Sequence, residues 1–169
     1  MKLAEALALR KEIESDIQRI YMQITENLTY LEEDGPDADF NMDDAFVELI
    51  DRHADLGILI YQINKTNNQT VLDMGLTVME AIVLRDSLSK KLALYTSIRS
   101  SLSYGARSRS REDDLKVITA LSKKELDQEI AVIQEELKRV DLALQEGNWT
   151  HDLVEFSNER LDSYLMGGN

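Results

Sequence analysis

This chain of 169 residues has no cysteine, one proline, seven glycines and one tryptophan. Without cysteine, disulfide bonds, thiolate zinc sites and a cysteine nucleophile are all excluded. So few prolines and glycines leave few points at which a helix must break, which favours long helices over many short strands. The chain also lacks the run of about 18 uncharged apolar residues that a membrane-spanning helix needs. We therefore expect a soluble protein built from long helices.

The net negative charge of the chain limits the kinds of molecule that it can bind. The 32 acidic residues outnumber the 19 basic ones, for a formal net charge of −13. Such a chain repels nucleic acid and anionic lipid, so neither is expected as a partner. Near the N-terminus, Glu5, Arg10 and Lys11 interrupt the apolar start, unlike the uncharged core of a signal peptide. We expect a cytoplasmic protein.

Apolar side chains recur at helical spacing in four long segments, which cover residues 2–31, 43–63, 76–102 and 122–145. Asp43 or Asp44 is predicted to cap the second helix, and Thr77 the third. Residues 103–114 are predicted to form a Ser/Arg-rich loop, and 115–118 a short extended piece. Gly147 is predicted to end the fourth helix, and residues 150–169 to form a short helix with a frayed end.

Two apolar stripes define the expected packing. In the second helix the predicted buried stripe is Val47, Ile50, Ala54, Leu56, Leu59, Ile60 and Ile63. In the fourth helix the stripe alternates in steps of four and three, as in a coiled-coil seam: Leu126, Ile130, Ile133, Leu137, Val140 and Leu144.

The predicted fold class is all-α, with four main helices and a short C-terminal helix arranged as long antiparallel hairpins in an oligomeric bundle. A first helix of about 30 residues would measure about 45 Å, whereas a compact chain of this size has a diameter of roughly 40 Å. Because such a helix would overhang a monomer, we expect a homo-oligomer. Residues 1–153 are expected to form one helical domain and 154–169 a C-terminal extension.

Charged and amide side chains interrupt the apolar runs near several helix ends. Buried groups of this kind cost free energy unless they are paired. Arg85 and Asp86 are adjacent, so they should diverge by roughly 100° around their helix and not pair with each other. We hypothesise a structural polar network, with a metal or small-ligand site as the alternative. The candidate residues are Glu5, Arg10, Asn64, Asn67, Arg85 and Asp86.

Within this network, Glu5 is expected to pair with Arg85. Asp86 is expected to pair with Arg10 or with the amides of Asn64 and Asn67.

Two acidic patterns resemble parts of known sites. Glu48 and Asp51 form one half of the ExxD motif of all-helical nucleotide pyrophosphohydrolases, but the paired glutamates of the other half are missing. A calcium-loop template matches at five positions but lacks its glycine. Those five positions are Asp37, Asp39, Asn41, Asp43 and Glu48. Both patterns are interpreted as solvated acidic surface, and no catalytic, metal or cofactor-binding residue is assigned.

Five segments form an ordered pattern along the chain: Met1–Leu7 with Arg10, Ile63–Asn67, Ala81–Asp86, the stretch around Arg107–Ser110, and Asn148–Trp149 with Leu153. This pattern resembles the septicolysin-like family, a group of small, mostly bacterial proteins without an established biochemical role. The resemblance covers about residues 1–153. It implies an all-helical fold of long hairpins and a homo-oligomer, and the family name suggests a membrane-active toxin.

The expected function is that of a self-assembling helical protein without a catalytic motif. Two alternatives stay open. One is a metal-assisted phosphate or nucleotide hydrolase with a site around Glu5 and Asp86; the other is a septicolysin-type membrane-active toxin. No cofactor is predicted, and the expected partner is a second or further copy of the chain.

Overall fold

Four helices dominate the structure, a computed structural model that describes residues 1–30, 35, 39–109, 120–155 and 163–165, with the backbone alone over 103–109. They are α1 (Leu3–Glu26), α2 (Met42–Gln69), α3 (Val78–Arg109) and α4 (Lys123–Thr150). Within those ranges, β-structure is limited to two isolated bridges, Lys2 with Asp152 and Val71 with Thr77. The all-α prediction is confirmed.

The ends of α1 and α2 differ from the predictions. α1 ends at Glu26, where the amide side chain of Asn27 donates to the carbonyl of Gln23 at 2.9 Å. α2 is capped by Asn41, so the predicted caps at Asp43 and Asp44 are wrong. The Oδ1 atom of Asn41 accepts hydrogen bonds from the backbone N–H groups of those two residues at 3.0 and 3.3 Å.

α2 also continues beyond its predicted end at residue 63, through an amide-rich stretch, and ends at Gln69. The side chains of Ile63, Thr66 and Asn67 are buried in these last turns. Tertiary burial therefore outweighs the low helix propensity of asparagine and threonine.

The start of α3 follows the prediction, whereas the ends of α3 and α4 do not. Thr77 and Glu80 form a reciprocal cap: the N–H of Thr77 donates to the Glu80 carboxylate at 2.8 Å, and the N–H of Glu80 donates to the Thr77 hydroxyl at 3.2 Å. The backbone N–H of Thr77 and, at 3.0 Å, its hydroxyl both donate to the Glu80 carboxylate, and these two hydrogen bonds lower the pKa of Glu80 below its ordinary value. α3 runs on to Arg109 through part of the predicted loop. α4 passes through a buried Gly147 to Thr150.

Two further predictions concern the segments that precede and follow α4. The extended piece predicted at 115–118 lies outside the described residues. Residues 151–155 are not helical, and residues 163–165 are.

The chain divides into two compact units, one of residues 1–70 with 148–169 and one of residues 71–147. In the first, apolar clusters join α1 to α2. Leu3, Ala6 and Ile13 of α1 pack with Leu59 and Ile63 near the end of α2. Ile20 and Ile24 near the end of α1 pack with Ala45 near the start of α2. The α2 side chains in these clusters form its inner seam: Met42, Ala45, Leu49, Leu56, Leu59 and Ile63.

The first unit also ties the N-terminal residues to the segment after α4. The backbone N–H of Leu3 donates to the carbonyl of His151 at 3.0 Å, and the N–H of Leu153 donates to the carbonyl of Met1 at 2.8 Å. Thr66 of α2, fully buried, completes this connection. Its hydroxyl accepts the N–H of Val154 at 2.9 Å and donates to the carbonyl of Gln62 at 2.8 Å.

In the second unit, Leu72, Val78 and Ala81 pack with Val140 and Leu144 of α4. The seam predicted in α4 is confirmed, because Ile133, Val140 and Leu144 are buried and its other members are half-buried. Further along the same helices, Arg99 Nε donates to the Asp127 carboxylate at 2.8 Å.

Replacing Thr66 by valine should destabilise the protein by about 1–3 kcal/mol, because the Val154 N–H loses its acceptor while the shape of the side chain is kept. Equilibrium urea unfolding, followed by circular dichroism and by the fluorescence of the single Trp149, measures this loss. The control is Thr25→Val, which removes an exposed hydroxyl on α1 and should change stability by less than about 0.5 kcal/mol. Equal effects of both substitutions would contradict the prediction.

The Arg99–Asp127 pair should make stability depend on pH. The hydrogen bond from Arg99 lowers the pKa of Asp127 below its ordinary value of 3.8. Since the folded-state pKa lies below the unfolded one, the pair stabilises the fold above the unfolded pKa, and this is lost as pH falls through the folded-state pKa. Asp127→Asn should therefore lower the melting temperature at neutral pH, and the difference should narrow below pH 3.8.

Thermal melts across this pH range measure the difference. Glu129→Gln, at an exposed position of the same helix, serves as the control. A difference between Asp127→Asn and the unsubstituted protein that stays constant down to the most acidic pH would contradict the assignment.

Candidate functional site

Glu5, the first of the predicted polar residues, contacts a neighbour in sequence. Its carboxylate accepts the backbone N–H of Lys2 at 2.7 Å and so closes the first turn of α1. Glu5 is exposed to solvent. Its carboxylate therefore caps the helix. This role accounts for an acidic residue in an apolar N-terminal run without a ligand.

Arg10 lies one turn further along α1 and is half-buried. Its Nε lies 3.4 Å from the Glu14 carboxylate, an ion pair within one helix. Among the residues that the structure describes, the buried Nε atom of Arg10 has no hydrogen-bond partner. Arg10 thus forms an ion pair along its own helix.

The two asparagines of the set lie in the last turns of α2. Asn64 is exposed, and its backbone carbonyl accepts the side-chain amide of Asn68 at 2.9 Å. Asn67 is buried, with 8% of its surface exposed. They therefore face different environments on one helix.

Arg85 and Asp86 pair with each other, so the prediction that they diverge is wrong. Arg85 Nη2 donates to the Asp86 carboxylate at 2.9 Å, and Nε lies 3.2 Å from the same oxygen. The long arginine side chain folds back over the neighbouring residue, which the angle between Cβ positions does not prevent. Both side chains are more than a third exposed. Solvent therefore surrounds the pair, and its charges need no partner elsewhere.

The acidic residues of the partial ExxD motif lie on the surface of α2. Together with two further aspartates, an arginine and a valine they line an open depression of about 400 Å³: Asp44, Val47, Glu48, Asp51, Arg52 and Asp55. Across the ranges that the structure describes, no three His, Cys, Asp or Glu side chains are grouped as metal ligands. Asn41 of the calcium template caps α2, and Asp37 lies outside the described residues.

The feature that the sequence interpretation missed is a second apolar seam on α2. Val47 and Ile50, predicted to be core, are 59% and 58% exposed, so that prediction is wrong. They lie roughly 140–200° around the helix from Ala45 of the inner seam. With the next apolar or small residues in steps of four and three they form the outer seam: Val47, Ile50, Ala54, Gly57 and Tyr61.

The two halves of the outer seam differ in burial. At its N-terminal half Val47 and Ile50 are exposed, and Phe46 beside them is 45% exposed. At its middle Ala54 is 2% exposed. Gly57 is covered by Leu165: a Cβ atom added at Gly57 would lie 2.7 Å from Cδ2 of that leucine. A glycine within a helix thus makes room for a side chain from the C-terminal segment.

The sequence held a signal for this seam. Heptad-like spacing on α2 can be traced twice, once for each face, and the prediction merged the two into one stripe. Gly57 within an apolar helix was the second clue, because glycine in a helix interior costs about 1 kcal/mol relative to alanine and so indicates a close approach.

The comparisons assign the chain to a family. The model of a family of unknown function, DUF6847, matches residues 10–153, and the chain belongs to this family. The resemblance to the septicolysin-like family is therefore wrong. The short segments that carried it contain charged and amide residues whose contacts, such as Glu5 with Lys2 and Arg85 with Asp86, are local. Such contacts arise wherever helices begin or carry neighbouring opposite charges.

A solved structure is similar along most of the chain. It is the crystal structure of a functionally unknown conserved protein from Corynebacterium diphtheriae, 27% identical, with a TM-score of 0.75. The match covers 91% of this chain and 99% of that one. No curated protein matches significantly. In the part of the chain that the structure describes, no helix has the length and apolar character needed to cross a membrane.

Asp86→Asn should change the free energy of unfolding by less than about 0.5 kcal/mol, because the carboxylate is exposed and its pair with Arg85 is surrounded by water. Urea unfolding with and without added Mg²⁺ or Zn²⁺ measures this. Val140→Ala, in the buried seam of α4, is the positive control and should clearly destabilise. Metal-dependent stabilisation that Asp86→Asn removes would instead favour a metal site at this residue.

Proposed function

We propose that the protein acts without catalysis, by self-association through the exposed half of the outer seam of α2. The observation that carries this proposal is the exposure of Phe46, Val47 and Ile50 on neighbouring turns of one helix face. Scattered exposed apolar residues are normal on soluble proteins, whereas adjacent ones along a helix form a surface that a partner helix can cover.

The spacing of this surface supports a helical partner. A step of three places Val47 and Ile50 along one line, as in the seam through which two helices pack, and Ala54, the next position on that line, is buried. A second copy presents the same line, so an isologous contact buries apolar surface on both sides. The predicted α1 of about 30 residues is in fact 24 residues long. Self-association therefore rests on this face and not on the length of the first helix.

Charge sets a condition on this association. The carboxylates of Asp44, Glu48, Asp51 and Asp55 run along one flank of the seam, and they are exposed. Arg52, which pairs loosely with Asp55 at 3.8 Å, offsets part of this charge. Two copies that meet here bring two acidic flanks together, so repulsion opposes the apolar attraction. Salt screens that repulsion, and association should tighten as ionic strength rises.

Ile50→Glu should raise the dissociation constant of self-association at least about tenfold, because it removes apolar burial and adds charge to a face that is already acidic. Sedimentation velocity over a wide range of protein concentrations measures the constant. Val83→Glu is the matched control, since it places the same charge at a residue of α3 that is 62% exposed, and it should leave association unchanged.

A second measurement varies salt. For the unsubstituted protein, the dissociation constant should fall when NaCl is raised from about 0.05 M to about 0.5 M. A protein that stays monomeric at every concentration and salt level would contradict self-association. Dimers that Ile50→Glu leaves intact would contradict the assignment to this face.

The two alternatives receive no comparable support. In the hydrolase hypothesis Glu5 and Asp86 are the ligands. In the structure the Glu5 carboxylate accepts the backbone N–H of Lys2, and the Asp86 carboxylate accepts the guanidinium of Arg85. The toxin depended on a family assignment that the family match overturns. The cytoplasmic location expected from composition stays part of the proposal, and fractionation of cells that express the tagged protein tests it.

A further inference from the structure

Four carboxylates on the surface of α2 form an acidic row: Asp44, Glu48, Asp51 and Asp55. They follow one another in steps of four, three and four, so each is the helical neighbour of the next. Like charges at this spacing repel one another and weaken a helix. Asp44 lies in the first turn, where the helix dipole favours a negative charge, but the other three lie beyond it. The stability of α2 therefore does not account for the row.

The charges of the acidic row are only partly neutralised within the chain. Arg19 of α1 lies 3.6 Å from the Glu48 carboxylate, and Arg52 lies 3.8 Å from the Asp55 carboxylate. Both pairs are exposed to water and long, so they are weak. In the part of the chain that the structure describes, the other two carboxylates of the row take part in no ion pair. The row therefore keeps a negative charge that a cation from outside the chain can meet.

The acidic row runs beside the exposed start of the outer seam. Val47 lies three positions after Asp44 and four before Asp51, so it is the helical neighbour of both. It also lines the same open depression as the row. Ile50 is the next exposed apolar residue along the seam. This surface of α2 thus presents apolar side chains and carboxylates in two adjacent lines.

We propose that this surface binds an amphipathic helix of a partner protein that carries lysine or arginine along one edge of its apolar stripe. Such a helix places apolar side chains on Val47 and Ile50 and its cations against the acidic row, in the way that charges beside an apolar seam select the partner in a coiled coil. A second copy of the chain meets this surface with like charges, whereas a basic helix meets it with opposite ones. This binding is separate from self-association, and the two compete for the same apolar residues.

A synthetic helical peptide of leucine and lysine at heptad spacing serves as the basic partner, and the same peptide with glutamate in place of every lysine is its matched control. Fluorescence anisotropy of the labelled peptide, titrated with the full chain, measures the dissociation constant. The lysine peptide should bind at least about tenfold more tightly than the glutamate peptide. Its affinity should fall when NaCl is raised from about 0.05 M to about 0.5 M, which is the opposite of the salt dependence expected for self-association.

Two substitutions locate the binding surface. Asp51→Lys should weaken binding of the lysine peptide at least about tenfold, because it reverses a charge in the middle of the acidic row. Its control is Glu135→Lys, the same change of charge at an exposed position of α4. Ile50→Ser should weaken binding about threefold to tenfold through the loss of apolar contact. Its control is Val83→Ser, on α3, and circular dichroism with a thermal melt establishes that each variant is folded.

Weaker binding of the lysine peptide to Asp51→Lys and to Ile50→Ser, with both controls unchanged, supports the proposal. Equal weakening by Glu135→Lys overturns it, because the peptide then responds to net charge alone. Weakening by Asp51→Lys without any effect of Ile50→Ser also overturns it, as does a lysine peptide that binds no more tightly than the glutamate peptide or does not bind. A chain that is monomeric at every concentration contradicts self-association and leaves the peptide result unaffected.

Discussion

α2 is apolar on two opposite faces, and the arrangement of the first unit depends on how each face is covered. The inner seam is buried against α1, which holds the start of one helix to the end of the other through the clusters around Leu3 and Ile20. On the outer seam, Leu165 covers Gly57 and Ala54 is buried, while Val47 and Ile50 are exposed. Burial of apolar surface is the main favourable term in folding, so an uncovered seam on a well-packed helix is the natural place to expect association.

Polar groups differ from the apolar seams in their role, because most of them cap helices or form ion pairs at the surface. Glu5 and Thr77 cap helices, Arg85 and Asp86 neutralise each other in solvent, and Arg99 with Asp127 links two helices at the surface. Thr66 is the exception, since its buried hydroxyl accepts the N–H of Val154 from a segment 88 positions away in sequence. Unlike the surface pairs, that hydrogen bond has no water to replace it.

The acidic surface of α2 links the fold to the proposed function. Carboxylates at Asp44, Glu48, Asp51 and Asp55 flank an apolar line, and the whole chain has a net charge of −13. Repulsion of this kind keeps an acidic protein dispersed, and it makes any contact through the line sensitive to ionic strength.

By itself, the sequence determined that the protein is helical, where α3 begins and which face of α4 is buried. Thr77 with Glu80 and the regular seam around Val140 are local patterns whose meaning does not depend on distant residues. Which α2 face meets α1 was decided only in the tertiary structure. Two apolar lines at heptad spacing share one helix, and periodicity alone cannot rank them. The pairing of Arg85 with Asp86 depended on a side-chain rotamer, and the cover over Gly57 on a residue more than one hundred positions away. Long-range packing chose among conformations that the local sequence leaves nearly equal in free energy.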